Sequence, residues 1–139
     1  LDIKSIDNAM CEKITGASNR NALETLRYRE ERGMDVWIRH VVVPGYTLDF
    51  KMLEKMADFL KDFACIKKVE LLPFHKMGEY KWKELNRPYF LTDVPEPAEE
   101  DMKKAAEIFG SRGIKFLAVE TIAADARHDK NAHSHIQIS

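Results

Sequence analysis

The chain has 139 residues, of which 45% are hydrophobic and 32% charged, which suits one globular domain and excludes a disordered or collagen-like chain. The net charge of -1 supplies no overall attraction for nucleic acid or an anionic membrane. The longest apolar run, residues 36–43, is far shorter than the roughly 20 residues of a membrane-spanning helix. We therefore expect a soluble chain that recognises its partners through a local site.

The chain starts with Leu1-Asp2-Ile3-Lys4, which has neither an initiator Met nor the layout of a secretory signal. We interpret it as part of a longer protein. The cysteines, Cys11 and Cys65, lie far apart and form no CxxC motif, so no disulfide framework or metal cluster follows from them. They are interpreted as reduced, buried thiols of a cytoplasmic protein.

Four segments are predicted as strands: residues 1–4, as the end of a strand, then 36–43, 68–74 and, more weakly, 114–119. Residues 36–43 (VWIRHVVV) are rich in β-branched residues and end at Pro44-Gly45. Their apolar character on both faces predicts burial on both sides, as in a parallel sheet between helices.

Helical spacing predicts four helices. They are a short helix over 8–14, one over 21–32 capped by Asn19 or Asn21 and ended by Gly33, one over 48–63 with Thr47 as N-cap, and one from Pro97, at its first position, to Gly113. Alternating strands and helices indicate parallel βαβ units, an α/β fold. Ligands of such sheets bind at the carboxyl ends of the strands, here residues 2–5, 43–47 and 74–80.

The domain is predicted to span residues 1–119. Residues 120–139 show no helical or strand period and are predicted to form a flexible tail. The tail contains His128, His133 and His135, but no carboxylate or cysteine pattern accompanies them, so we assign no metal site there.

Four residues in or next to the predicted strands could carry chemistry. Asp2 and Lys4 lie two apart, so alternation places both side chains on one face, where they could hold a zwitterion. His75 follows the strand over 68–74 and serves either as a ligand contact or as a cap of backbone groups. Arg39, inside an apolar strand, has either a salt bridge or a ligand as its partner.

Longer motifs carry a resemblance. The segments LDIK (1–4), GASN (16–19), VWIRHVVVPG (36–45) and LLPFHKMGEYKW (71–82) resemble, in order and spacing, the C-terminal half of the pyruvate formate-lyase-activating enzymes. The resemblance extends from residue 1 to about residue 116. These enzymes belong to the radical S-adenosylmethionine (radical SAM) superfamily, so it implies the C-terminal half of a partial (β/α)6 barrel.

The resemblance also implies a cofactor set and a partner. In the family, a CxxxCxxC motif holds a 4Fe–4S cluster that binds and cleaves S-adenosylmethionine. The 5′-deoxyadenosyl radical then takes a hydrogen atom from a glycine of a glycyl radical enzyme such as pyruvate formate-lyase. Which glycyl radical enzyme is the target does not follow from these motifs.

Matched by position, Asp2, Ile3 and Lys4 correspond to the family's DLK segment at the S-adenosylmethionine site, where Asp2 would also lie near a monovalent cation. His75 corresponds to the family histidine that contacts S-adenosylmethionine. Arg39 fits an inward-facing position without an assigned role. No catalytic or metal-binding residue is assigned to this chain.

The sequence also departs from the family. The CxxxCxxC motif and the Gly-Gly-Glu segment that holds the methionyl amine are absent, so we expect no cofactor and no catalysis in this chain alone. An open strand edge predicts self-association. The alternative interpretation is a stand-alone half-barrel that serves as a binding or assembly module.

Overall fold

The computed structural model describes residues 1–75, 94–114, 117–120 and 135–138. In chain order the elements are α1 (Asn8–Thr15), α2 (Arg20–Glu31), β1 (Val36–Val42), α3 (Phe50–Leu60), β2 (Ile66–Pro73), α4 (Glu99–Ser111), β3 (Leu117–Glu120) and β4 (His135–Ile138). The strands form one sheet in the order β1-β2-β3-β4, with β1, β2 and β3 parallel. The predicted α/β fold with parallel strands alternating with helices is confirmed.

The first residues of the chain extend this sheet beyond β1. Asp2 forms a parallel bridge with Arg39, the Arg39 N–H donates to the Leu1 carbonyl (2.9 Å), and the Ile3 N–H donates to the Arg39 carbonyl (3.1 Å). This is the strand end predicted for residues 1–4. Its carboxyl end therefore lies at the same edge of the sheet as the carboxyl ends of β1 and β2.

Helices pack against one face of the sheet. The two apolar helix faces consist of Leu53, Met56, Ala57 and Leu60 in α3 and Met102, Ala105, Ala106 and Phe109 in α4. Leu26 of α2 is fully buried in the same cluster. Helix residues make up half of the main buried cluster, and each fully buried Leu, Met or Phe contributes about 1.5–3 kcal/mol of transfer free energy.

The two faces of the sheet differ in exposure. The covered face comprises Val36, Ile38, His40 and Val42 of β1 with Val69 and Leu71 of β2, all buried. The open face comprises Trp37, Arg39 and Val41 of β1 with Lys68, Glu70 and Leu72 of β2, none of them buried. The prediction that β1 is buried on both sides is therefore wrong, because in the described part of the chain the helices cover only one side.

The cap of α3 differs from the prediction. The helix begins after Asp49, whose Oδ1 accepts hydrogen bonds from the Lys51 N–H (2.9 Å) and the Met52 N–H (3.1 Å). Thr47 instead closes the turn after β1, since its Oγ1 accepts from the Val43 N–H (2.7 Å) and donates to the Val41 carbonyl (2.8 Å). Two competent capping residues lie close together, and the one nearer the first turn forms the cap.

Of the other two long helices, α2 begins after a predicted cap residue and α4 does not. α4 begins at Glu99, two residues later than expected, so Pro97 precedes the helix, and Asp101 Oδ2 accepts from the Ala98 N–H (3.1 Å). α2 begins after Asn19, but the Asn19 side chain forms no cap bond because it donates elsewhere. Gly33 ends this region as predicted, with φ 64° in the left-handed conformation that glycine adopts without strain.

The end of α2 is tied to the start of β2. The Glu30 carboxylate accepts hydrogen bonds from the Ala64 N–H through Oε1 (3.1 Å) and from the Cys65 N–H through Oε2 (2.8 Å). One acidic side chain therefore fixes the joint between the second helix and the second strand.

The C-terminal segment contains a strand that was not predicted. His135–Ile138 pairs antiparallel with β3, in register from Leu117–Ile138 to Glu120–His135. Four residues are too few to show a strand period, and the pairing is set by the edge of β3. His128 and His133 lie outside the described residues, and the domain boundary near residue 120 stays a prediction. None of the helices described here is long and apolar enough to cross a membrane.

Candidate functional site

Asp2 and Lys4 lie side by side on the open face. Lys4 Nζ is 3.6 Å from Asp2 Oδ2, and their side chains are 33% and 53% exposed. Ile3 between them is fully buried against the core. The structure thus places the two charges on one face, as strand alternation predicts, and Ile3 anchors the segment instead of facing the open side.

His40 lies behind this segment, on the covered face. It is 2% exposed, and its Nδ1 is 2.8 Å from the Ile3 carbonyl oxygen. Burial lowers the pKa of His40, and the nearby Lys4 ammonium lowers it further, whereas the bond to Ile3 opposes the shift. The imidazole is therefore neutral at pH 7.

A cluster of charges continues from Arg39 across the open face. Glu70 is 17% exposed and lies between two cations, with its Oε2 3.5 Å from Arg39 Nε and its Oε1 2.9 Å from Lys68 Nζ. The Lys68 ammonium also lies over the ring of Trp37, 5.2 Å from its centroid. Of the two partners left open for Arg39, the structure shows the salt bridge, and 55% of the Arg39 side chain stays exposed.

His75 lies just beyond β2 and pairs with a carboxylate. Its Nδ1 is 3.6 Å from Glu96 Oε1, and the two side chains are 37% and 39% exposed. Phe74 beneath it is buried with Val43 and Val94, and its N–H donates to the Val42 carbonyl (3.0 Å). The histidine is thus carried on a segment that stays bonded to β1.

The register of the sheet relates the two candidate positions. Arg39 of β1 pairs with Asp2 on one side and with Glu70 of β2 on the other. Lys4 follows Asp2, and His75 follows β2, each towards the carboxyl end of its strand. With β1 between them, the two segments are about 10 Å apart across the strands. Of the other predicted ligand positions, residues 43–47 form a turn closed by Thr47, and residues 76–80 lie outside the described residues.

The donor set suits a zwitterion and not an iron–sulfur cluster. A partly exposed ammonium beside a partly exposed carboxylate matches the carboxylate and ammonium of an amino acid ligand such as the methionyl end of S-adenosylmethionine. A 4Fe–4S cluster of this superfamily needs three clustered thiolates, but the chain has only Cys11 and Cys65, both buried. The described residues include no group of three or more His, Cys, Asp or Glu side chains that could hold a metal ion.

Solved structures confirm the class of fold. The chain matches a domain of a pyruvate-formate lyase-activating enzyme from Bacteroides vulgatus with a TM-score of 0.69 and 21% identity, over 86% of this chain and 65% of that one. It also matches a radical SAM methyltransferase from Sphaerobacter thermophilus with a TM-score of 0.64 and 18% identity, over 89% of this chain and 34% of that one. The fold is that of a partial radical SAM barrel.

Sequence comparison finds similarity to the activating enzymes. The chain is 33% identical over 117 residues to the pyruvate formate-lyase 1-activating enzyme of Escherichia coli, covering 84% of this chain and 48% of the relative. It is 42% identical over 105 residues to the pyruvate formate-lyase-activating enzyme of Staphylococcus epidermidis, covering 76% of this chain and 42% of the relative. No protein-family model matches. The resemblance to the C-terminal half of the pyruvate formate-lyase-activating enzymes is confirmed, and the chain spans about half the length of these relatives.

Sequence analysis missed three residues of this region. His40 contacts the Ile3 carbonyl, Glu70 contacts Arg39, and Glu96 contacts His75. Alternation could have found His40, since it shares its parity in β1 with Val36, Ile38 and Val42. Alternation on β2 also places Glu70 on one face with Lys68, but the pairing of Glu70 with Arg39 depends on the β1–β2 register, and Glu96 reaches His75 through tertiary folding.

Proposed function

We propose that this chain is the part of a glycyl radical-generating activating enzyme that binds S-adenosylmethionine through Asp2, Lys4 and His75. It acts within a larger protein, in which a separate CxxxCxxC segment holds the 4Fe–4S cluster. The observation that carries the proposal is the Asp2–Lys4 pair, exposed together at the strand ends of a radical SAM barrel fold. The similarity to activating enzymes supports the reaction class.

The residues of this chain bind and orient the ligand. The Lys4 ammonium binds the methionyl carboxylate, and the Asp2 carboxylate accepts a hydrogen bond from an ammonium group or lies beside a monovalent cation. His75 contacts the same ligand from the end of β2, and Glu96 restrains its ring. S-adenosylmethionine bound to a reduced cluster supplies the chemistry that removes a hydrogen atom from a glycine of the partner.

The proposal extends to the partner and the setting. The partner is a glycyl radical enzyme such as pyruvate formate-lyase, which the names of the similar proteins support. The setting is the cytoplasm. Without the cluster segment the chain is not catalytic, and its open face, with Trp37 61% exposed, favours self-association of the isolated chain.

The test is S-adenosylmethionine affinity in the intact, cluster-loaded enzyme. Lys4→Ala and His75→Ala each remove one hydrogen bond to a charged ligand, so we expect binding to weaken about 10- to 150-fold. Lys55→Ala, which removes an exposed lysine from α3, is the matched control and should bind as the wild type does. Unchanged affinity in both site variants would refute the assignment of Lys4 and His75.

The isolated chain tests whether the cluster is held by a segment outside these 139 residues. After anaerobic reconstitution with iron and sulfide, we expect no stoichiometric cluster, because two buried cysteines cannot supply three thiolates. Stoichiometric iron with a stable visible charge-transfer band in the monomeric chain would contradict this. Sedimentation at rising concentration tests self-association, and a clean monomer at high concentration would contradict that part.

A further inference from the structure

The Asp2–Lys4 segment is held by side chains from behind. The Ile3 carbonyl is bonded by the His40 imidazole at 2.8 Å, and the Ser5 and Ile6 carbonyls are bonded by Asn19 Nδ2 at 3.2 and 3.0 Å. Three carbonyls within four residues are thus fixed by two buried side chains, His40 and Asn19. Such bonds fix the position and twist of a short edge segment relative to β1, to which only a few backbone hydrogen bonds hold it in the described residues.

The chemistry of the His40 bond determines its direction. A carbonyl oxygen only accepts hydrogen bonds, so Nδ1 of His40 carries the proton and donates it. The ring is on the covered face, 2% exposed, while Asp2 and Lys4 project from the open face. His40 therefore cannot touch a ligand held by those two side chains, and its hydrogen bond reaches them through the backbone of Ile3.

We propose that His40 is a positioning residue of the Asp2–Lys4 site, and that its Nδ1–H bond to the Ile3 carbonyl sets the presentation of both charges on the open face. This inference rests on the proposed function for its ligand. It adds to that function a buried residue that supports the site from the opposite side of the sheet. The backbone bond itself is testable without any ligand.

The first experiment measures amide hydrogen exchange in the full 139-residue chain. His40→Leu replaces the imidazole with an apolar side chain of similar size and removes the donor. His40→Asn retains an N–H donor on Cγ, the atom to which imidazole Nδ1 is attached. We expect the Ile3 and Arg39 amides, which bond the segment to β1, to exchange about 3- to 10-fold faster in His40→Leu, relative to the Val36 amide at the other end of β1. His40→Asn should restore the ratio.

A matched control separates positioning from general destabilisation. Thr47→Val removes another buried hydrogen-bonding side chain, one that bonds the turn after β1. It should speed exchange of Val36, Ile3 and Arg39 alike and leave their ratio unchanged. Equal acceleration of all three amides in His40→Leu would overturn the proposal, as would ¹⁵N NMR spectra of the imidazole showing the proton on Nε2.

The second experiment links the bond to the ligand. In the cluster-loaded intact enzyme, His40→Leu should weaken S-adenosylmethionine binding about 3- to 10-fold, with recovery in His40→Asn. Unchanged affinity in His40→Leu, where Lys4→Ala weakens binding, overturns the positioning role while the proposed function stands. Unchanged affinity in Lys4→Ala refutes the proposed function instead, and the exchange ratio still decides whether His40 fixes the segment.

Discussion

Alternate residues of the same two strands meet opposite environments. On the covered face, Ile38, Val69 and Leu71 are fully buried, and the polar exception on β1, His40, is hydrogen-bonded. On the open face, Arg39 and Glu70 form an ion pair, and Arg39 remains more than half exposed. The comparison shows that stability is concentrated on the covered face. The open face can then carry unpaired hydrogen-bonding capacity for a ligand at little cost to folding.

Truncating one aromatic side chain on each side gives the largest contrast. Phe109→Ala, which empties a fully buried position in α4, should lower the free energy of unfolding by about 3–5 kcal/mol. Trp37→Ala on the open face should cost less than about 1 kcal/mol, because Trp37 is 61% exposed and its ring lies under the Lys68 ammonium. Urea denaturation of both variants measures the difference, and equal losses would show that the open face is also a core.

Lowering the pH should reduce the stability of the fold through His40 on the covered face. The pKa of His40 lies below its ordinary value of 6.5 in the folded chain, chiefly because the ring is buried. As pH falls below about 6.5, the unfolded chain binds a proton that the folded chain does not, so this residue lowers stability by at most about 1.4 kcal/mol per pH unit.

Urea denaturation between pH 7.5 and 5 measures this slope. It should be shallower in His40→Asn, which has no titrating ring but keeps the donor to Ile3. The same slope in both proteins would mean that other groups account for the acid sensitivity.

The charges of the open face should give the smallest effect. Glu70→Gln keeps the shape of the side chain and removes the charge shared by Arg39 and Lys68, which should cost about 1 kcal/mol at low salt. The difference from wild type should shrink in 1 M salt, where the screening length is about 3 Å. Glu107→Gln, an exposed site on α4, is the control and should cost nothing measurable. A salt-independent loss for Glu70→Gln would indicate packing instead of charge.

Most of the fold could be predicted because its signals are local. The β-branched run over residues 36–43 and the apolar spacing in α3 and α4 depend only on neighbours along the chain. Helix starts were less predictable, since Thr47 and Asp49 are both competent caps, and Asp49 forms the cap while Thr47 closes the turn after β1. The exposure of Trp37 and the pairing of β4 depend on which elements pack or pair across the sheet, which local sequence does not encode.

The candidate site divides in the same way. Alternation was sufficient to place Asp2 and Lys4 on one face, and the end of a predicted strand was sufficient to single out His75, whereas the ligand of these residues came from the family motifs. Two contacts depend on the fold. Glu96 contacts His75 from 21 positions away, and the Ile3 carbonyl accepts from His40 at a separation of 37 positions. Residues that support a site from behind have no motif of their own, because any donor of the right reach meets the requirement.

The joint between α2 and β2 has a consequence for thiol reactivity. Burial, and secondarily the hydrogen bond and the charge of Glu30, raise the pKa of Cys65 from 9.0 to about 11. At pH 8 the folded chain then holds about 100-fold less Cys65 thiolate, the form that alkylating agents and oxidants attack, than the unfolded chain. Cys65 should therefore resist labelling until the hydrogen bonds to Glu30 break and the thiol is exposed, so its labelling rate reports how often this joint opens.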